Sequence, residues 1–316
     1  MSRQLLRYGL TTALRPFTLP AWNGECELLL SDGVFVGGHV QRSNATRLAV
    51  EQRGVERVLT VFPGTRGTVT MRRMVTGASA MQLTIHVPDD CDITVIDEYN
   101  GSSVAHATVL TIAPGSTVRY TVICDLEPQA LALIHYEACV KQAMVTWNVC
   151  AFGAETTQLS VDTIADEASI VNTNTVTIGT DQQQFDLHVS TRHTGPKSSG
   201  NMLSRAVLDD RARVITHGLI RIEETADNSD SYQKSETILL SDAAGADAIP
   251  NLEIHNHNVR CSHGATIGKI DAEKLFYLTS RGISEADAKR AITEGFISSM
   301  LSPELAQRAL AKFGAQ

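Results

Sequence analysis

The chain has 316 residues, of which 43% are hydrophobic, 20% charged and 5% aromatic, enough to bury a large core and unlike a disordered, collagenous or coiled-coil sequence. Twenty-seven Lys and Arg against 35 Asp and Glu leave a net charge of −8, and no basic run is present to neutralise a row of phosphates, so nucleic acid is not an expected partner. No run of about 18 apolar residues occurs, and no membrane association is expected.

Residues 1–24 read as an N-terminal segment in which Leu5, Leu6, Leu10 and Leu14 line one short amphipathic helix before Pro16 and Pro20 end it. Arg3, Arg7 and Arg15 interrupt this stretch, so it does not read as a signal peptide, and the chain is expected to be cytoplasmic with reduced thiols. From 25 to 270 the pattern changes. Short runs rich in Val, Ile, Leu and Thr recur, among them Gln82–Val87, Ile93–Ile96, Val109–Ile112, Val118–Ile123, Ala143–Trp147 and Leu159–Val161, separated by Pro, Asp, Asn and Gly. A sandwich pair, a propeller or a β-solenoid all fit so long a series of strands. Low aromatic content and the prevalence of small and β-branched residues, which stack in a narrow interior, favour the solenoid, although no strict sequence repeat is visible. Such a solenoid needs its end coils covered, because open edges leave strands unpaired.

A helical module is expected over 271–316. Asp271 is placed to N-cap a helix through Phe276 and Tyr277 to Arg281, with Gly282 as its C′ residue. Ser284 and Asp287 form a variant capping box for a second helix with Ala288, Ile292, Phe296 and Met300 on one stripe. Ser302 and Pro303 start a third, carrying Leu305, Ala306, Leu310 and Phe313. These stripes either pack on the last coil or also dock another protein.

The six cysteines, Cys26, Cys91, Cys124, Cys139, Cys150 and Cys261, include no Cys-x-x-Cys pair, which excludes zinc ribbons, thioredoxin-like sites and ferredoxin loops. All but Cys261 read as small buried hydrophobes in strands. Potential ligands are densest in Glu253-Ile-His255-Asn-His257-Asn-Val-Arg-Cys261-Ser-His263. On one uninterrupted strand these odd-numbered residues would share a face. Asn256 and Asn258 are turn formers, however, and a bend there separates Glu253 and His255 from Cys261 and His263. Taken alone, Cys-x-His on a strand reads first as a satisfied buried pair and only second as a metal site. Gly264-Ala-Thr-Ile-Gly268-Lys269 fails as a phosphate loop, having three residues between the glycines and Ile270 after the lysine. His193-Thr-Gly-Pro-Lys-Ser-Ser-Gly200 reads as a surface turn, and no Gly-x-Ser-x-Gly or His-Glu-x-x-His hydrolase motif occurs.

From about His193 to the C-terminus the sequence resembles the SufB/SufD family of iron–sulfur cluster assembly proteins. The resemblance rests on Ala226-Asp-Asn-Ser-Asp-Ser-Tyr-Gln233, Leu239-Leu-Ser-Asp-Ala243, Pro250-Asn-Leu-Glu-Ile254, Val259-Arg-Cys-Ser-His-Gly-Ala-Thr-Ile-Gly268, Leu275-Phe-Tyr-Leu278, Ser280-Arg-Gly-Ile283 and Gly295-Phe296. It implies a right-handed parallel β-helix with a C-terminal helical module that docks SufC, an ABC-type ATPase, so that ATP would be hydrolysed by the partner and this chain would not itself be an enzyme. Two family subunits pair through their β-helices around the site where a cluster is built. Cys261 and His263 match the family's Cys-x-His. The chain departs from SufB-type members at Ile254, where they carry a cysteine, and is shorter at its N-terminal side, as in minimal systems with one scaffold and one ATPase.

The expected function is therefore a homodimeric scaffold that transiently holds a cluster, expected as [4Fe-4S], on Cys261 and His263 with Glu253 and His255 in support, metal contact falling to Cys261 and His263. A SufD-like partner of a separate SufB-type subunit, holding no cluster alone, is the alternative. An unrelated polysaccharide-active solenoid is a third reading, and the low aromatic count weighs against it.

Overall fold

A computed structural model describes residues 17–19, 23–31, 34–40, 56–61, 63–77 and 79–314. The short helix expected over Leu5 to Leu14 lies outside the described residues, while Phe17–Leu19 forms a strand, β1. Then come β2 (Asn23–Ser31), β3 (Val34–Val40), β4 (Glu56–Val61), β5 (Arg66–Val75), β6 (Ser79–Val87), β7 (Asp92–Gly101), β8 (Val104–Ile112), β9 (Thr117–Leu126) and β10 (Leu131–Val140). They continue as β11 (Met144–Ala151), β12 (Thr156–Ala165), β13 (Ile170–Gly179), β14 (Gln184–His193), β15 (Ser199–Leu208), β16 (Arg213–Ile222), β17 (Asp230–Leu239), β18 (Gly245–Ile254) and β19 (Arg260–Lys269). Strand pairing thus begins ahead of residue 25, where composition places the start of the β core.

Among the described residues, β1 and the even-numbered strands from β4 to β18 make a nine-stranded sheet, and β3, β2 and the odd-numbered strands from β5 to β19 make a ten-stranded one. Pairing is parallel throughout except between β2 and β3. Two consecutive strands therefore make one coil of a parallel β-helix, as expected. Ser79 pairs with Val104 and Arg213 with Gly245, a step of 25 residues in the first case and 32 in the second. Coils of unequal length erase any fixed sequence period.

The corners repeat where the sequence does not. Gly64, Asp90, Gly115, Gln142, Ala168, Lys197 and Asn228 all have φ between 48° and 74°. One such residue falls shortly before each odd strand from β5 to β17. Each donates its amide to the corner of the next coil, for example Gln142 N to Glu167 O at 2.9 Å and Lys197 N to Asp227 O at 2.8 Å. The left-handed conformation costs an ordinary residue roughly 1–2 kcal/mol. The stacked hydrogen bonds offset that cost at every level.

Period-two alternation sends every second side chain into the lumen. Through the middle coils these residues are buried and apolar, including Val95, Val118, Ile134, Val145, Leu159 and Val161. Four aromatics, Tyr99, Tyr120, Tyr136 and Trp147, are fully buried here, with the ring centroids of Tyr120 and Trp147 4.9 Å apart. Toward the C-terminus the lumen turns polar, with Ser204, Thr216, Ser231, Gln233, Ser235 and Thr237 buried. A Cβ at Gly218 would lie 1.7 Å from Gln233 Nε2, so glycine is what makes room for this amide.

Three helices follow: α1 (Ala272–Ser280), α2 (Glu285–Ser298) and α3 (Pro303–Leu310), with a 3-10 turn at Ala311–Gly314. Their caps are the expected ones. Asp271 accepts from Glu273 N and Lys274 N at 3.0 and 3.3 Å, Ser284 Oγ from Asp287 N at 3.1 Å, and Ser302 Oγ from Leu305 N at 3.3 Å. Gly282 takes φ +89°, ending α1. The docking site differs from expectation. Rather than covering the last coil, α2 and α3 fold back on the outer face of the odd-strand sheet, where Ile297, Leu305, Ala306, Ala309 and Leu310 pack with Ile123, Cys150, Phe152, Val176, Ile178 and Val207.

Candidate functional site

The last coil is the place where the alternation of burial fails. In β14 to β17 the inward positions are buried, Leu239 at the end of β17 only partly so, whereas no residue of β18 or β19 is buried. Nothing among the described residues is stacked on these two strands, so their inward side chains face an open end. Ile254 and Ile267 are 44% and 41% exposed, high for large apolar residues at inward positions.

Strand register places the candidate ligands. In β19, Cys261 pairs with Ser231 and His263 with Gln233, both inward-facing, so Cys261 and His263 stand side by side on the lumen face of the open end. In β18, Leu252 and Ile254 pair with the inward Ile220 and Ile222, which turns Glu253 outward beside Arg221. Arg221 Nη1 donates to Glu253 Oε2 at 3.0 Å. β18 ends at Ile254 and β19 begins at Arg260, so the bend expected at Asn256 and Asn258 is present and separates Glu253 from the Cys-x-His pair. His255 is exposed just beyond β18, its backbone amide bonded to Ile222 O at 2.8 Å. Of the four candidate residues, the fold brings together Cys261 and His263 and turns Glu253 away.

Cys261 packs beside an apolar cluster of Val189, Met202, Ile220, Ile222 and Ala226. Burial, with Asp230 adding to it, pushes its thiol up to about 11. A thiol of this kind is protonated at neutral pH and becomes a soft ligand when a metal displaces the proton. His263 is exposed and supplies a borderline imidazole. Two ligands from one chain leave most of a cluster uncoordinated, so this arrangement fits a cluster as cargo only with ligands from a second molecule.

Gly264 to Lys269 lies within β19, so no phosphate-binding loop forms there. The turn His193–Gly200 is anchored at both ends: His193 and Ser198 are fully buried, with His193 Nδ1 and Ser198 Oγ 2.9 Å apart. Cys91, Cys124 and Cys150 are buried as expected, whereas Cys139 is exposed. Helix α1 has no buried residue, and Phe276 and Tyr277 are 73% and 59% exposed. No helix among the described residues is long and apolar enough to cross a membrane. The composition-based reading missed one cluster, Asp186, His188 and His217, whose members lie on two strands. Asp186-Leu-His188 was its sole local signal.

The fold is a parallel β-helix whose uncovered end presents a thiol and an imidazole. The sequence comparisons specify its family. A family model described as "SUF system FeS cluster assembly, SufBD core domain" matches residues 70–296, and the chain belongs to this SufB/SufD family of iron–sulfur cluster assembly proteins. It is 32% identical over 152 residues to the iron–sulfur cluster assembly protein SufD of Escherichia coli (strain K12), covering 47% of this chain and 36% of that protein. It is 34% identical over 131 residues to SufD of Bacillus subtilis (strain 168), covering 42% and 30%. With SufB of the same strain it shares 26% identity over 219 residues, covering 68% and 46%. The chain thus spans less than half the length of these relatives. Family membership removes the unrelated polysaccharide-active solenoid from consideration.

Proposed function

We propose that the chain is a non-enzymatic scaffold subunit on which an iron–sulfur cluster is assembled, working as a homodimer and with a SufC-type ATPase. The observation that carries this reading is the open end of the β-helix: its inward face holds Cys261 and His263 beside exposed Ile254 and Ile267. A second copy on this end would bury the apolar positions and double the ligands about a two-fold axis. A shell of two thiolates and two imidazoles binds a cluster, expected as [4Fe-4S], less tightly than four thiolates, which suits release to a recipient. His255, exposed just beyond β18, belongs at the rim of the site, whereas Glu253, held outward by Arg221, takes no part in it. Helix α1 offers Phe276 and Tyr277 as the ATPase contact, so Phe276→Asp abolishes co-purification with the ATPase while leaving the β-helix intact. In anaerobic reconstitution of the complex, Cys261→Ser and His263→Ala each lower the iron and sulfide retained; unchanged loading in both variants sinks the ligand assignment.

A second reading is favoured by Ile254. It occupies the inward position at which SufB-type members carry a cysteine, so this chain would be the SufD-like partner in a heterodimer. Co-expression with a SufB-type subunit from the same source distinguishes the two: capture of that subunit in preference to a second copy supports the heterodimer.

A further inference from the structure

Strands β14 and β16 pair in register, which sets His188 directly beside His217, and period-two alternation puts Asp186 on the same outward face. The imidazoles stack with centroids 4.2 Å apart and planes 10° from parallel, close to the spacing neighbouring strands impose. Both Nε2 atoms turn toward one carboxylate oxygen, His188 at 3.0 Å and His217 at 3.7 Å from Asp186 Oδ1. That oxygen is buried and takes part in no hydrogen bond, because neither imidazole is aligned to donate to it. An ordinary His–Asp pair aims an N–H at the carboxylate. Here one oxygen and two ring nitrogens lie within 4.8 Å of one another without bonding among themselves, as ligands do around an ion.

We infer that Asp186, His188 and His217 form a binding site for a divalent first-row transition-metal ion on the outer face of the even-strand sheet. Two imidazoles and one carboxylate suit the Fe(II) to Zn(II) series, whereas Mg(II) and Ca(II) prefer all-oxygen shells. The three side chains are 40%, 43% and 35% exposed, so an ion reaches them from solvent and keeps water at its open positions. Cys261 and His263 face the lumen on the other sheet, so the inference stands apart from the cluster site and does not depend on the scaffold reading. The nearby His135 is excluded from the set: Ser160 lies between it and His188 in the same cross-strand row and holds His135 Nδ1 at 2.6 Å.

The test is anaerobic titration of the chelator-treated protein with Co(II) alone, followed by visible absorption and calorimetry. One equivalent binds saturably. Asp186→Asn and His217→Gln each weaken it at least about tenfold, the lower end of what loss of even a supporting partner costs a metal site. His135→Ala and the Cys261→Ser/His263→Ala double variant bind as the parent does. Zn(II) raises the unfolding temperature of the parent and not of Asp186→Asn. These substitutions lie on the outer face, and circular dichroism verifies that the fold is kept. Absence of saturable binding, binding unaffected by Asp186→Asn and His217→Gln, or loss only in the Cys261/His263 variant overturns the inference.

Discussion

Asp97 is fully buried in the lumen, and its charge is held there by donors from four strands. Arg73 Nη2 lies 2.9 Å from Oδ2 and Arg73 Nε bonds Oδ1, while Tyr120, Tyr136 and Tyr99 hydroxyls reach Oδ2 at 2.9, 3.0 and 3.3 Å. Desolvation pushes all three tyrosines well above their ordinary range, so they remain donors. Removing one partner of a buried pair strands the other. Asp97→Leu therefore costs about 3–5 kcal/mol in urea unfolding, and adding Arg73→Met returns part of that loss. The parity of Ile93, Val95, Asp97 and Tyr99 in one run carried the signal for an inward carboxylate; its partner on another coil was not legible, because no local pattern pairs β5 with β7. His193 supplies a pH dependence. Burial lowers its pKa to about 4, whereas the unfolded imidazole titrates at about 6.5. The unfolded chain takes up this proton first, so stability is full above pH 6.5 and is lost as pH falls toward 4, by on the order of 3 kcal/mol. Thermal unfolding of His193→Gln shows a flatter slope across that window; an unchanged slope assigns the acid sensitivity elsewhere.

Helix boundaries were readable because caps are local chemistry: Asp271, Ser284 and Ser302 each satisfy amides within three residues of themselves. Where the helices dock was not readable, because the receiving surface is assembled from outward residues of successive coils. Arg308 shows how the docking is fixed. It reaches Asp125 Oδ2 at 2.8 and 3.1 Å, Asn100 Oδ1 at 3.1 Å and Glu98, and Lys312 adds 2.6 Å to Asp125. Glu98 and Asp125 are only 14% exposed, which shields these ion pairs from solvent more than surface ones. Arg205 repeats the device from the sheet side, with its guanidinium 4.8 Å from the Phe296 ring. Arg308→Ala removes the guanidinium that Glu98 and Asp125 share, leaving Asp125 to Lys312 and Glu98 to Arg72 alone. Limited proteolysis then cuts within 285–314 at lower protease concentrations than in the parent, while the β-helix persists; an unchanged digestion pattern means that the apolar contacts of Leu305 and Leu310 suffice.

At the scale of the molecule, small and β-branched residues favoured a solenoid over a sandwich or propeller, and the family resemblance implied the parallel β-helix, yet its repeat stayed hidden. Left-handed corners hold Asp, Gly, Gln, Ala, Lys or Asn indifferently once the stacked hydrogen bonds are in place, and coil length drifts. The open end was equally invisible, since exposure of Ile254 and Ile267 depends on what lies beyond the last coil. If that end is a subunit interface, Ile267→Asp converts the dimer to a monomer by light scattering without lowering the stability of the isolated subunit; a parent protein that is already monomeric at working concentration argues for a heterologous partner. The helical module, meanwhile, touches outward residues of β7, β9, β11, β13 and β15 and so ties five consecutive levels of one sheet together. The last coil lies outside this tie and has a single neighbour. In a stack where each level is stabilised by those it touches, β18 and β19 have the least to lose by opening, and their amides exchange with solvent before those of β9 to β15. The β-helix thus has a soft lip, and the lip holds Cys261 and His263: if they are the ligands proposed above, they can shift to take up or hand over a cargo while the coils behind them stay folded.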